Sequence, residues 1–114
     1  MIEFWHNPRC SKSRQALTLL RDRGVEVRER RYLDTPPSLD EIAQIRAALG
    51  QPRAIDMMRP GEKLFRDLGL DRGASDEVLM QAMADHPILI ERPVAIAGAR
   101  AVIGRPPERV LDLI

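Results

Sequence analysis

Cysteine is almost missing from this chain: the 114 residues hold one, Cys10. A single thiol closes no internal disulfide and supplies no multi-cysteine zinc site. Aromatic residues make up only 4%, so the core must be built chiefly from aliphatic side chains, with Trp5 and Tyr32 read as packing residues. Lysine is reduced to Lys12 and Lys63, and every other basic residue is arginine. The planar fork of arginine suits bidentate contact with oxyanions. The formal net charge is +1, which gives no reason to expect a nucleic acid or an anionic membrane as partner. No apolar run approaches the ~20 residues of a membrane span. No basic segment followed by an apolar stretch and a cleavage site opens the chain. These absences lead us to expect a cytoplasmic protein in a reducing compartment, without a bound cofactor or metal.

Hydrophobic residues at 44% can form a core, and the 31% charged residues are dispersed rather than blocked, which argues against disorder. The length suits one domain over residues 1–114. Ile2 to Trp5 reads as a short strand, and Asn7-Pro8 as a turn. SKSRQALTLLRDRG places Ala16, Leu17, Leu19 and Leu20 at helical spacing and stops at Gly24. VEVRERRYL starts in alternation and breaks into charge, as an edge strand does. Ser38 and Glu41 have capping-box spacing, and Gly50 closes that helix. PRAIDMMRPGEKLFRDLGL reads as two short helical pieces broken at Pro60-Gly61. SDEVLMQAMADHP reads as a helix with His86 at its C-terminal cap. PVAIAGARAVIG reads as a hairpin turning at Gly98. The tail PPERVLDLI reads as a helix with Val110, Leu111 and Ile114 on one face. The order βαβ, helical middle, ββα predicts an α/β, thioredoxin-like fold. It has a mixed four-stranded sheet flanked by helices and a helical insert between the two halves.

The stretch HNPRCSKSR sets Cys10 between the first strand and the first helix. A thiol ionises more readily at a helix N-terminus and beside cations, where its pKa falls from about 8.5 to roughly 3.5–7.5. His6, Arg9, Lys12 and Arg14 are near in sequence, and Ser13 either bonds the thiolate or caps the helix. The same loop-to-helix entry presents backbone N–H groups to an oxyanion. A nucleophile in such a cradle points to attack on a tetrahedral oxyanion or a peroxide-like group. The competing reading is a cysteine that only packs, and the polar surroundings predict an exposed thiol instead.

HNPRCSKSR resembles the H-x3-C-x3-R signature of the ArsC family, the glutaredoxin-coupled arsenate reductases. YLDTPPSLDEI, MMRPGEKLFRDLGL, HPILIERPVAI and IGRPPERVLDLI resemble further segments of that family in the same order. The likeness covers essentially the whole chain and is closest to the YfgD-like branch. It implies Cys10 as the catalytic cysteine, His6 as the residue supporting its thiolate and Arg14 as the motif arginine. It further implies Arg59, Arg92 and Arg105 as substrate-binding residues and Pro93 as a structural cis-proline, while Ser13, three residues after the cysteine, is read as a further substrate-binding residue. The implied substrate is arsenate or a related oxyanion, with glutathione as co-substrate and glutaredoxin as partner. Two other readings stay open: a general glutathione-dependent thiol oxidoreductase, and a non-enzymatic regulator similar to the Spx group. That group typically uses a two-cysteine switch, and Ser13 stands where the second cysteine would fall.

Overall fold

The structure, a computed structural model, describes residues 1–114. Strands β1 (Ile2–Trp5), β2 (Val27–Arg30), β3 (Val94–Ala97) and β4 (Arg100–Ile103) form one sheet in the order β2-β1-β3-β4. β1 pairs parallel with β2, with Ile2 opposite Val27, and antiparallel with β3, with Phe4 opposite Ala95. β3 and β4 form the expected hairpin, turning at Gly98, whose φ of 60° is left-handed. This is the mixed four-stranded, thioredoxin-like sheet predicted from the element order. Edge strand β2 carries Arg28, Glu29 and Arg30, and charge on an edge discourages pairing with another chain.

The chain divides into two compact units: residues 1–35 with 92–114, and residues 36–91. In the first, the period-two alternation of β1 turns Ile2 and Phe4 to one face of the sheet. Helix α1 (Ser11–Asp22) brings Ala16, Leu17 and Leu20 onto them at i, i+1 and i+4, and Ala95 and Val110 complete the cluster. Ile2, Phe4, Ala16, Leu20, Ala95 and Val110 are essentially fully buried. On the opposite face, the Arg30 guanidinium lies 5.6 Å from the centre of the Trp5 ring.

The tail departs from expectation. It forms a 3-10 helix over Pro107–Leu113 rather than an α-helix, with i to i−3 bonds such as Arg109 N–H to the Pro106 carbonyl at 3.0 Å. Three residues per turn put Pro107, Val110 and Leu113 in line. Pro107 and Val110 are buried and Leu113 packs on the core, while Ile114 is exposed and Leu111 only partly covered. The face predicted from an α-period was therefore wrong in Leu111 and Ile114, because the helix period is different.

The second unit is the helical insert. It holds α2 (Leu39–Ala48), a 3-10 turn (Ala54–Met57), α3 (Lys63–Asp67) and α4 (Asp76–Asp85), with a further 3-10 turn at Pro87–Leu89. α2 starts in the full capping box: the Glu41 N–H donates to Ser38 Oγ and the Ser38 N–H to the Glu41 carboxylate. Asp76 joins the start of α4 to the end of α2. Its carboxylate accepts from Arg46 at 3.0 Å and from the Ala54 N–H at 2.9 Å. His86 is the C-cap of α4.

Candidate active site

The loop between β1 and α1 is fixed by its own short-range bonds. Asn7 Oδ1 accepts the Arg9 N–H, an Asx turn, and the Asn7 carbonyl accepts the Cys10 N–H at 3.0 Å. Arg14, one turn into α1, donates to the Pro8 carbonyl at 2.8 Å. Cys10 itself is the N-cap residue of α1, with extended φ and ψ, and its carbonyl accepts the Arg14 N–H. The Cys10 thiol thus stands at the positive end of a 12-residue helix.

Cys10 is buried, at 9% exposure, against the exposure predicted from its polar sequence neighbours. The reason is long-range. Arg105 Nη2 lies 3.5 Å from Cys10 Sγ, and the Arg92 guanidinium also acts on the thiol, lowering its pKa. Both arginines come from the far end of the chain, at the start and finish of the hairpin. Arg105 is held by donating Nε to the Arg92 carbonyl at 2.9 Å. The Arg92–Pro93 peptide is cis, and so is Arg105–Pro106. The Gly104 N–H bonds the Pro93 carbonyl at 2.9 Å, which keeps the two arginine-bearing segments side by side.

Burial alone pushes the Cys10 thiol up. The Arg92 hydrogen bond, the Ser13 N–H, the Arg92 charge and the Lys12 N–H together outweigh it, and the pKa falls below the ordinary thiol value. The two helix N–H groups act on the sulfur more loosely than on an oxygen cap, since Cys10 closes no side-chain capping bond of ordinary geometry. The sulfur is therefore both shielded and biased toward thiolate.

His6 and Ser13 lie behind the loop. His6 Nδ1 is 2.7 Å from Ser13 Oγ, and that oxygen accepts the Asn7 N–H at 3.1 Å. Burial pushes the imidazole below the ordinary histidine value. Glu29 pulls against this, while Arg31, Arg21 and Arg14 reinforce it. The neutral ring keeps one N–H, so this bond runs from the Ser13 hydroxyl to Nδ1 in one tautomer and from Nδ1–H to Ser13 Oγ in the other. His6 thus reaches the cysteine through Ser13. The expected substrate-binding role of the Ser13 side chain is not what the geometry offers: the residue is fully buried, its hydroxyl is used internally, and only its backbone N–H serves the sulfur.

His6 has a consequence for stability. Its folded pKa is lowered, so between the unfolded value of about 6.5 and the folded value the unfolded chain binds the proton and the folded chain does not. Stability from this group is complete above about pH 6.5 and is lost as pH falls through that window. His6→Asn is expected to flatten the acid-side decline, as read by urea unfolding at a series of pH values from 7.5 downward. An unchanged slope would refute it.

Of the arginines named from sequence, Arg92 and Arg105 meet at Cys10, and Arg14 braces the loop through Pro8. Arg59 belongs to the helical unit, where it ion-pairs with Glu62 and Glu91, each at 3.2 Å. Sequence reasoning missed the second cis peptide at Arg105–Pro106, although the R-P step is visible, and the close packing at Gly104. It also missed a cavity of about 290 Å³ behind the loop. No helix is long and apolar enough to cross a membrane.

Residues 5–113 match the model of the ArsC family. The chain is 48% identical over 110 residues to a protein of Neisseria meningitidis serogroup A called arsenate reductase, covering 96% of this chain and 94% of that one. It is 45% identical over 114 residues to YfgD of Escherichia coli K12, named as uncharacterized, covering 99% and 96%. Among solved structures, an arsenate reductase from Vibrio cholerae superposes with a TM-score of 0.94 at 43% identity, covering 99% and 97%. By sequence and by fold alike, the chain belongs to the ArsC family.

Proposed function

We propose that this protein reduces arsenate to arsenite through Cys10, with glutathione and glutaredoxin completing the cycle. One observation carries the reading: a lone thiol, its pKa lowered, at a helix N-terminus and under two arginines. The relatives called arsenate reductase supply the substrate.

The steps follow from the residues. The oxyanion is drawn to the positive end of α1 and to the Arg92 and Arg105 guanidinium groups. Cys10 thiolate attacks arsenic, a sulfur–arsenic bond forms and one oxygen leaves as water, with arsenic still pentavalent. Glutathione adds its sulfur to arsenic with loss of a second water. A glutaredoxin thiolate then attacks the glutathione sulfur. The electron pair of that sulfur–arsenic bond goes to arsenic, which becomes trivalent, and a glutathione–glutaredoxin disulfide forms. Hydrolysis of the Cys10–arsenic bond frees arsenite and regenerates the thiolate. With no second cysteine in the chain, the resolving thiols must be external. Arg92 and Arg105 stabilise the charge that shifts between oxygen and sulfur. Arg59 enters this reading through the family likeness.

The test is arsenate-dependent NADPH oxidation with glutathione, glutaredoxin and glutathione reductase, with Cys10→Ser as the blank. Turnover that needs arsenate and both thiol components supports the reading. Turnover in the blank would overturn it. A Cys10–glutathione mixed disulfide without arsenate turnover would favour a general thiol oxidoreductase instead.

A further inference from the structure

The cavity of about 290 Å³ behind the Cys10 loop is lined by His6, Asn7, Pro8, Arg9, Arg31, Leu33 and Asp34. It lies wholly within the unit that carries Cys10. Two cations and one anion line it: Arg9, Arg31 and Asp34. None of the three side chains is engaged in an ion pair. Arg31 and Asp34 are held three residues apart by a turn, in which the Asp34 and Thr35 N–H groups donate to the Arg31 carbonyl at 2.9 and 3.0 Å. Leu33, 41% exposed, gives one wall an apolar surface. Arg9 is the residue before the nucleophile, and consecutive Cα atoms are about 3.8 Å apart, so the cavity opens within one residue of Cys10.

We infer that this cavity is the binding subsite for glutathione, seated by Arg9, Arg31 and Asp34; the inference rests on the reading of Cys10 given above. Glutathione carries two carboxylates and one ammonium at neutral pH, the inverse of the two guanidinium groups and one carboxylate on the wall. Guanidinium groups take carboxylates bidentately, and the volume sits at the small end of ligand pockets, as a tripeptide requires. A simple oxyanion would leave the Asp34 carboxylate opposed to its own charge. The carboxylate thus selects a ligand with a cationic end. The Asn7-Pro8-Arg9 segment is both a wall of this cavity and the lead into Cys10, so a peptide seated there lies against the loop that carries the thiol.

The test separates this subsite from the arsenate reaction. S-methylglutathione cannot react, so its binding to the whole protein, followed by titration calorimetry without arsenate, reports the cavity alone. Arg31→Ala is expected to weaken it about tenfold and Arg31→Glu more, with Arg31→Lys partly restoring it. Arg28→Ala, an exposed arginine outside the cavity, should leave it unchanged. In the coupled assay, Arg31→Ala should raise KM for glutathione by a similar factor and leave KM for arsenate in place. Weakened S-methylglutathione binding with no arsenate turnover in any form would support the subsite and overturn the reductase. Arsenate turnover with KM for glutathione and S-methylglutathione binding both unchanged in Arg31→Ala and Arg31→Glu would overturn the subsite and leave the reductase standing.

Discussion

Arg92→Ala is expected to lower arsenate turnover by about 10²–10³-fold, the loss typical of a preorganised donor at a site of developing charge. Cys10→Ser is expected to abolish it. The two losses have different causes. Serine fits the same buried place beside the two guanidinium groups, so the fold should hold, but its hydroxyl does not ionise there and forms no sulfur–arsenic bond. Arg92→Ala keeps the sulfur and removes the leading influence that lowers its pKa. Burial, the largest single influence and an opposing one, then has less against it, and the pKa must rise. The check is the rate of iodoacetamide alkylation against pH. The wild-type midpoint should lie below that of an ordinary thiol, and the Arg92→Ala midpoint should lie above the wild-type one. Arg92→Lys should recover little, because a point charge replaces a planar fork that serves both sulfur and oxyanion. Coincident alkylation profiles in wild type and Arg92→Ala would refute this account of the thiolate.

Much of this was legible in the chain, for local reasons. Alternation in IEFW, helical spacing in SKSRQALTLL, the Ser38–Glu41 box and the Gly98 turn are each decided within a few residues, and the element order then restricts the sheet to few topologies. The motif loop was readable too, since Cys10, Asn7 and Arg14 bond within one another's reach. What was not legible is long-range. Cys10 and Arg105 are 95 residues apart in sequence, and no local pattern places a guanidinium on a thiol. The burial of the sulfur follows from that contact, so the polar neighbours misled. The inward hydroxyl of Ser13 depends on His6, which is fixed by β1 rather than by α1. The 3-10 period of the tail escaped because an apolar pattern over so few residues fits either helix type. Arg92 and Arg105 were named through family likeness; composition alone could not have chosen them among so many arginines.

Gly104→Ala is expected to destabilise the protein by about 1–3 kcal/mol, the usual cost of forcing atoms into a filled site. A Cβ on Gly104 would lie 2.8 Å from Pro93 Cγ, closer than real Cβ atoms sit, and 3.0 Å from Val110 Cγ1, tighter than most. Neither neighbour yields easily. Pro93 is a buried ring in a cis peptide whose carbonyl accepts the Gly104 N–H, and Val110 is fully buried in the central cluster. A drop of roughly 5–15 °C in Tm follows for a chain of this size. Gly61→Ala meets nothing within 4 Å and should leave Tm nearly unchanged. The clash also has a chemical readout. Gly104 is the residue before Arg105 and bonds the residue after Arg92, so relieving it moves the two groups that hold the Cys10 sulfur. The alkylation midpoint of Gly104→Ala should therefore rise at temperatures where the variant is still folded. A normal Tm would show that the sheet absorbs the methyl group. A lowered Tm with an unshifted midpoint would show that the packing and the thiolate are separable, and that the hairpin ends position the arginines without depending on how closely Gly104 approaches Pro93.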